Sequence, residues 1–286
     1  MASSGLPQAV VRRGRDPDIS TKLPNPPEQG ERERELRARG IGQEGERKNK
    51  NNRARKTSKM HHHFLTLTAA AGLLATASAT KLPSVNVPAC PRVGTISYSK
   101  SVPDLTPFPP TQVNLCYTDK SLELSFIAYD EVNYFFNASQ GTNDDIWEYE
   151  VMEAFIYKGT EDPQTYVELE VNPNNVTYQA FVYNPSKNRA VGAPFDHFFI
   201  SDPATDGFSA KTVLNKPAKT WKSTVTVPLG IFNVDVGKAK GTSWRMNFFR
   251  TVVSPEIYPN QTLGGWSPPD QASFHITKFF GHVKFI

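Results

Sequence analysis

The sequence predicts an all-β fold: a single antiparallel β-sandwich, jelly-roll-like in class, placed after a disordered head and a signal peptide. Three observations predict it. Short runs with period-two alternation recur through the last two thirds of the chain, clusters of Asn, Pro, Ser and Gly separate them, and no segment sustains a 3.6-residue apolar period beyond the turn or two of 229–234. Collagen, coiled-coil and polytopic membrane classes are excluded, because the chain has no Gly repeat, no heptad run and no apolar segment of about 20 residues.

Charge separates the head from the rest of the 286 residues: residues 1–59 hold 15 Lys+Arg against 8 Asp+Glu, a net +7, while 60–286 hold 17 against 20, a net −3. The head contains runs such as Glu31-Arg-Glu-Arg-Glu-Leu-Arg37 and almost no aromatic or β-branched residue, so it cannot bury enough surface to fold. It reads as a solvated leader, and the alternative is a nucleic-acid or nuclear-targeting tail. From Met60 the pattern changes. An apolar stretch from Phe64 to Leu74 runs into the small-residue box Ala77-Ser78-Ala79, which is secretory signal architecture over 60–79 and too short to span a bilayer. The expectation is therefore translation from Met60, a secreted, extracellular mature chain from about Thr80, and no membrane or nucleic-acid partner for that chain.

An oxidising destination fits the cysteines, of which there are two. Cys90 and Cys116 both follow the cut and read as one disulfide near the start of the domain, since a zinc site needs more ligands. Three acceptor sequons, beginning at Asn137, Asn175 and Asn260, fit a secreted glycoprotein and predict surface positions. Residues 80–110 are Pro-rich and read as an irregular strap, leaving 111–286 as the sandwich. Within it the alternation predicts strands at 121–129, 151–157, 166–171, 176–183, 197–200, 221–227, 244–250 and 278–285.

The chain carries no Gly-x-Ser-x-Gly, no His-Glu-x-x-His and no phosphate-binding Gly loop. Acids are plentiful in Asn143-Asp-Asp-Ile-Trp-Glu-Tyr-Glu150, where Asp144 and Asp145 offer oxygen ligands suited to calcium. His197, His275 and His282 are scattered. The four tryptophans divide by context. Trp221 and Trp244 share strand faces with apolar residues and are expected in the core. Trp147 ends a polar loop, and Trp266 stands in Leu263-Gly-Gly-Trp-Ser-Pro-Pro269; a ring held in such a loop can stack on the flat C–H face of a pyranose. Alternation in 244–250 sends Arg245 and Asn247 to the face opposite Trp244. Glu153 falls among Val151, Phe155 and Tyr157. Carboxylate, amide and guanidinium groups beside aromatic rings suit hydroxyls, which both donate and accept.

Four segments in order, Asp145-Ile-Trp-Glu-Tyr-Glu-Val-Met-Glu-Ala-Phe-Ile156, Tyr166-Val-Glu-Leu-Glu-Val-Asn-Pro-Asn-Asn175, Trp244-Arg-Met-Asn-Phe-Phe-Arg250 and Gly265-Trp-Ser-Pro-Pro269, resemble carbohydrate-binding module family 9, in its stand-alone secreted fungal form. The resemblance covers about 122–285. It implies a sandwich that holds a glucan or xylan sugar, from a polysaccharide or an oligosaccharide, between two tryptophans. Trp147 and Glu153 match the motif's aromatic wall and hydroxyl partner; Asn247 and Trp266 are carried over as amide contact and second wall. No cofactor is expected apart from structural calcium, for which the resemblance names no ligand set. Two alternatives stand beside a non-catalytic binder: a glycoside hydrolase or its accessory, with acids from 144–153, and a haem-binding, cytochrome-type sandwich using Met152 or Met246 with a distant His.

Overall fold

The computed structural model describes residues 81–286; the basic head and the expected signal segment lie outside the described residues. Thirteen strands form one continuous curled sheet that folds back on itself into two layers. One layer runs β2 (Gly94–Val102), β3 (Pro107–Tyr117), β4 (Ser121–Ala128), β10 (Thr220–Pro228), β9 (Ser209–Asn215). The other runs β8 (Asp196–Phe199), β7 (Thr177–Tyr183), β6 (Thr165–Val171), β5 (Val151–Lys158), β11 (Ser243–Val252). Beyond β11 lie β12 (Thr262–Gly265), which crosses to β2 and joins the layers, and β13 (Gly281–Phe285). Neighbours pair antiparallel except β1 (Ser84–Val87), which lies parallel to β13. The expected antiparallel sandwich is the observed fold.

Alternation explains which residues meet between the layers. Leu122, Leu124, Phe126 and Ala128 of β4 are all buried, as are Met152, Ala154 and Ile156 of β5 and Met246 and Phe248 of β11. Trp221 and Trp244 are core residues as expected, and each indole N–H is satisfied at 2.8 Å, by Ser223 Oγ and Thr242 Oγ1 respectively. Met152 and Met246 sit in this same inter-layer core, on the side of their sheet away from His197 and His275, so these residues form no Met–His axis for haem among the described residues.

One buried charge pins the layers together. Arg250, wholly buried on β11, donates from Nη2 to Glu131 Oε2 at 2.9 Å, and from Nη1 to Tyr129 O at 3.1 Å and to Pro110 O and Thr111 Oγ1 at 3.3 Å. Cys90 and Cys116 form the expected disulfide, tying the segment before β2 to the end of β3 across a separation of 26 residues.

The strap is corrected by the structure. Residues 80–110 are not irregular: β1, β2 and the first turn-side residues of β3 occupy most of that range. Ile96 and Tyr98 are buried while Thr95, Ser97 and Ser99 are exposed, so the sheet register overrides the prolines around it. Two more strands, β9 and β12, were also not expected.

Candidate functional site

Outside the inter-layer core, the second layer carries its own polar and aromatic face. Val151, Glu153 and Phe155 of β5 point to it, together with Tyr166, Glu168 and Glu170 of β6, Tyr178 of β7, and Arg245, Asn247, Phe249 and Thr251 of β11. The C-terminal segment folds over one part: Phe274 stacks on Phe249 at 4.0 Å between centroids, and Phe280 meets Phe155 edge-on at 5.8 Å. The 131–150 loop covers another, with Ile146 buried against Val151, Tyr178 and Ala180.

That loop presents Trp147. The 3-10 turn Ile146–Glu148 anchors on its buried isoleucine and turns the next side chain outward, leaving the indole 48% exposed. The loop is held from several directions. Asn143 donates to Ile200 O at 2.9 Å and accepts from the Gln179 amide groups, Gln140 Nε2 bonds Asp145 O at 2.9 Å, and Gln261 Nε2 bonds Trp147 O at 2.6 Å. Gln261 belongs to the 253–261 loop, which brings Tyr258 to stack on Tyr149 at 5.2 Å, with Phe135 edge-on to both. The exposed Trp147 and the stacked Tyr149–Tyr258 pair are thus carried by the same two tethered loops, 131–150 and 253–261. The hydrogen bond with Tyr149, with burial behind it, pushes the Tyr258 hydroxyl up to about 12, so it is neutral and a donor at physiological pH.

The remaining expected site residues are placed otherwise. Arg245 and Asn247 do share a face with Glu153, but their polar atoms are committed. Arg245 donates to the carbonyls of Phe280 at 2.7 Å, Thr160 and Lys278 at 3.3 Å and Thr277 at 3.4 Å. Asn247 donates to Ser267 O at 2.9 Å and accepts from Ser267 N at 3.1 Å. Both are buried and fasten the C-terminal segment to β11, the physical reason they face backbone carbonyls in place of sugar hydroxyls. Trp266 is half-buried, its ring against Phe248 and over Gly281, where any Cβ would strike it. It packs on the inter-layer core, whereas Trp147 stands on the loop at the other face.

Glu153 is sealed, only 3% exposed, and enters a cluster that sequence spacing did not reveal. One of its oxygens lies within 4.8 Å of one oxygen each of Glu168 and Glu170. His197 Nε2 lies 3.4 Å from Glu168 Oε2 and His275 Nε2 3.8 Å from its Oε1, the two rings meeting edge-on, and His275 Nδ1 bonds Tyr166 Oη at 2.7 Å. Burial drives the His275 ring down to about 4, so it is neutral. Burial, then repulsion from Glu168 and from Glu153 respectively, holds Glu153 and Glu170 well above the usual carboxylate range. Tyr149 and Tyr258 were likewise missed: Tyr149 lies two residues from Trp147, Tyr258 is more than 100 residues further along the chain, and only the fold stacks them.

No protein-family model matches the chain. A curated protein of Arthroderma benhamiae, named "Extracellular protein", is 58% identical over 204 residues, which is 71% of this chain and 91% of that one. Among solved structures, a candidate carbohydrate-binding protein from Bacteroides uniformis superposes with a TM-score of 0.54 at 17% identity, over 72% of this chain and 100% of its own. A family 9 carbohydrate-binding module from Caldicellulosiruptor kristjanssonii, solved with cellotriose, gives a TM-score of 0.47 at 13% identity, over 71% of this chain and 93% of its own.

Proposed function

This chain belongs to the family of the Arthroderma benhamiae extracellular protein, and we propose that it acts outside the cell as a non-catalytic carbohydrate-binding protein for glucan- or xylan-type sugars. The observation that carries the reading is the half-exposed indole of Trp147 on a loop that hydrogen bonds hold in place, beside the stacked Tyr149–Tyr258 pair. A ring fixed in advance loses little entropy on binding, and its apolar face gains by covering the C–H face of a pyranose. The disulfide and the shared sandwich fold of the Bacteroides uniformis protein support the same reading.

Magnitudes favour weak, repeated contacts. Covering ~100 Å² of indole contributes about 2.5 kcal/mol at ~25 cal/mol/Å², less than the ~4 kcal/mol that even millimolar affinity requires, so one ring needs polar contacts beside it to offset the cost of association, and binding at a single site is weak. A polymer with many sites raises the effective concentration. Hydrolysis is a poorer reading, because Glu153, the acid the motif supplies, is sealed from solvent.

Calorimetry with cello- and xylo-oligosaccharides and pull-down on cellulose, xylan and chitin test the proposal. Trp147→Ala is expected to weaken binding at least about tenfold; undiminished binding by that variant refutes the site. Asn175 and Asn260 are exposed and are the proposed glycan acceptors, while Asn137 is half-buried with its Oδ1 accepting from Ser139. Enzymatic deglycosylation of secreted protein should remove mass at the first two positions, and a secreted chain without glycan at either contradicts that assignment.

A further inference from the structure

We propose that Glu153, Glu168 and Glu170 form a buried site for one divalent cation of the oxygen-seeking class, with calcium as its occupant. Glu153 and Glu170 are directly opposed across β5 and β6, and Glu168 stands one pleat along the same face. Like charges so placed destabilise a sheet unless something neutralises them. All three side chains are at least 95% buried, so water cannot do so.

Two carboxylate oxygens point to the missing partner. Glu170 Oε2 is sealed from solvent and accepts no hydrogen bond, and Glu168 Oε2, equally sealed, has His197 Nε2 at 3.4 Å beside it. Buried acceptors left bare cost about 1–3 kcal/mol each, more when charged. A common cation accounts for both facts. Oxygens bound to calcium at about 2.3–2.6 Å lie up to about 5 Å from one another, and the three glutamates offer oxygens within 4.8 Å.

The surroundings fit a built site. Thr251 hydrogen-bonds Glu153, Tyr178 lies opposite Glu170, and the Asp145 carboxylate adds its field at Glu170. His197 and His275 flank Glu168 without replacing the oxygen ligands. The ligand atoms of the three glutamates are all carboxylate oxygens, the donor type that hard cations take. This site does not depend on sugar binding, and loss of either property leaves the other testable.

The test uses the whole secreted protein, stripped with EDTA and titrated with Ca2+, Mn2+ and Zn2+ by calorimetry and thermal unfolding. One Ca2+ per chain is expected, with a rise in Tm of about 5 °C or more at about 100-fold excess over Kd. Glu170→Gln, which keeps the shape and removes one charge, should abolish that rise. As a measurement on the wild-type chain, Tb3+ should give luminescence sensitised by Tyr178 and displaced by Ca2+. Absence of Ca2+ binding in the stripped wild type overturns the site. So does preference for Zn2+ over Ca2+, or an undiminished Ca2+ response in Glu170→Gln.

Discussion

Single side chains decide how much this sandwich tolerates. Arg250 is wholly buried with its ion partner Glu131 and three backbone or hydroxyl acceptors from the other layer. Arg250→Met would strand the Glu131 carboxylate, and a loss of about 3–5 kcal/mol is expected in urea unfolding. Adding Glu131→Gln should recover part of it; equal stability of the single variant and wild type contradicts this role. Glu150 is a different case. Burial, then the neighbouring Glu131, push its carboxyl up to about 8. The folded chain therefore holds a proton that the unfolded chain releases in the ordinary carboxylate range. Stability from this group falls as pH rises between those two values, and levels off above the higher. Comparing wild type with Glu150→Gln at about pH 5 and about pH 8 should show the wild type losing ground at the higher pH. A difference independent of pH would contradict the shift.

Strands were legible in the sequence wherever alternation was uninterrupted. The runs at 121–129, 166–171 and 221–227 became β4, β6 and β10 within a residue or two, because each buries one face between the layers. The first strands were hidden by Pro83, Pro88, Pro91, Pro103 and the Pro107–Pro110 run, although Ile96 and Tyr98 keep period two with Thr95, Ser97 and Ser99. Composition outweighed pattern there, and pattern was the better guide. Site residues were harder to read, since a face shared in one strand says nothing about what folds over it. Arg245 and Asn247 sit on the expected face, but the 267–280 segment reaches their donors first. Trp147 was legible from its polar loop, whereas the Glu168–Glu170 neighbours of Glu153 required the β5–β6 register. The disulfide was readable from cysteine arithmetic alone. Replacing Cys90 and Cys116 by serine should cost about 3 kcal/mol, given the loop it closes, as read from urea midpoints; an unchanged midpoint would show that the strand pairing of Ala89 with Tyr117 already holds this segment.

At the scale of the molecule, the two layers supply a stiff frame, and the second layer's outer face supplies the chemistry. The C-terminal segment closes most of that face, and the 131–150 and 253–261 loops leave one aromatic end of it in solvent. A relative named as an extracellular protein, an oxidised cysteine pair and an exposed indole on a pinned loop support the proposed recognition outside the cell. The most direct test is a proton–nitrogen NMR titration that follows the four indole N–H signals while a cello- or xylo-oligosaccharide is added. The Trp147 resonance should shift and saturate, with those of the buried Trp221 and Trp244 unmoved. Saturable sugar binding that leaves the Trp147 signal in place, or no perturbation by any glucan or xylan fragment, would contradict the account.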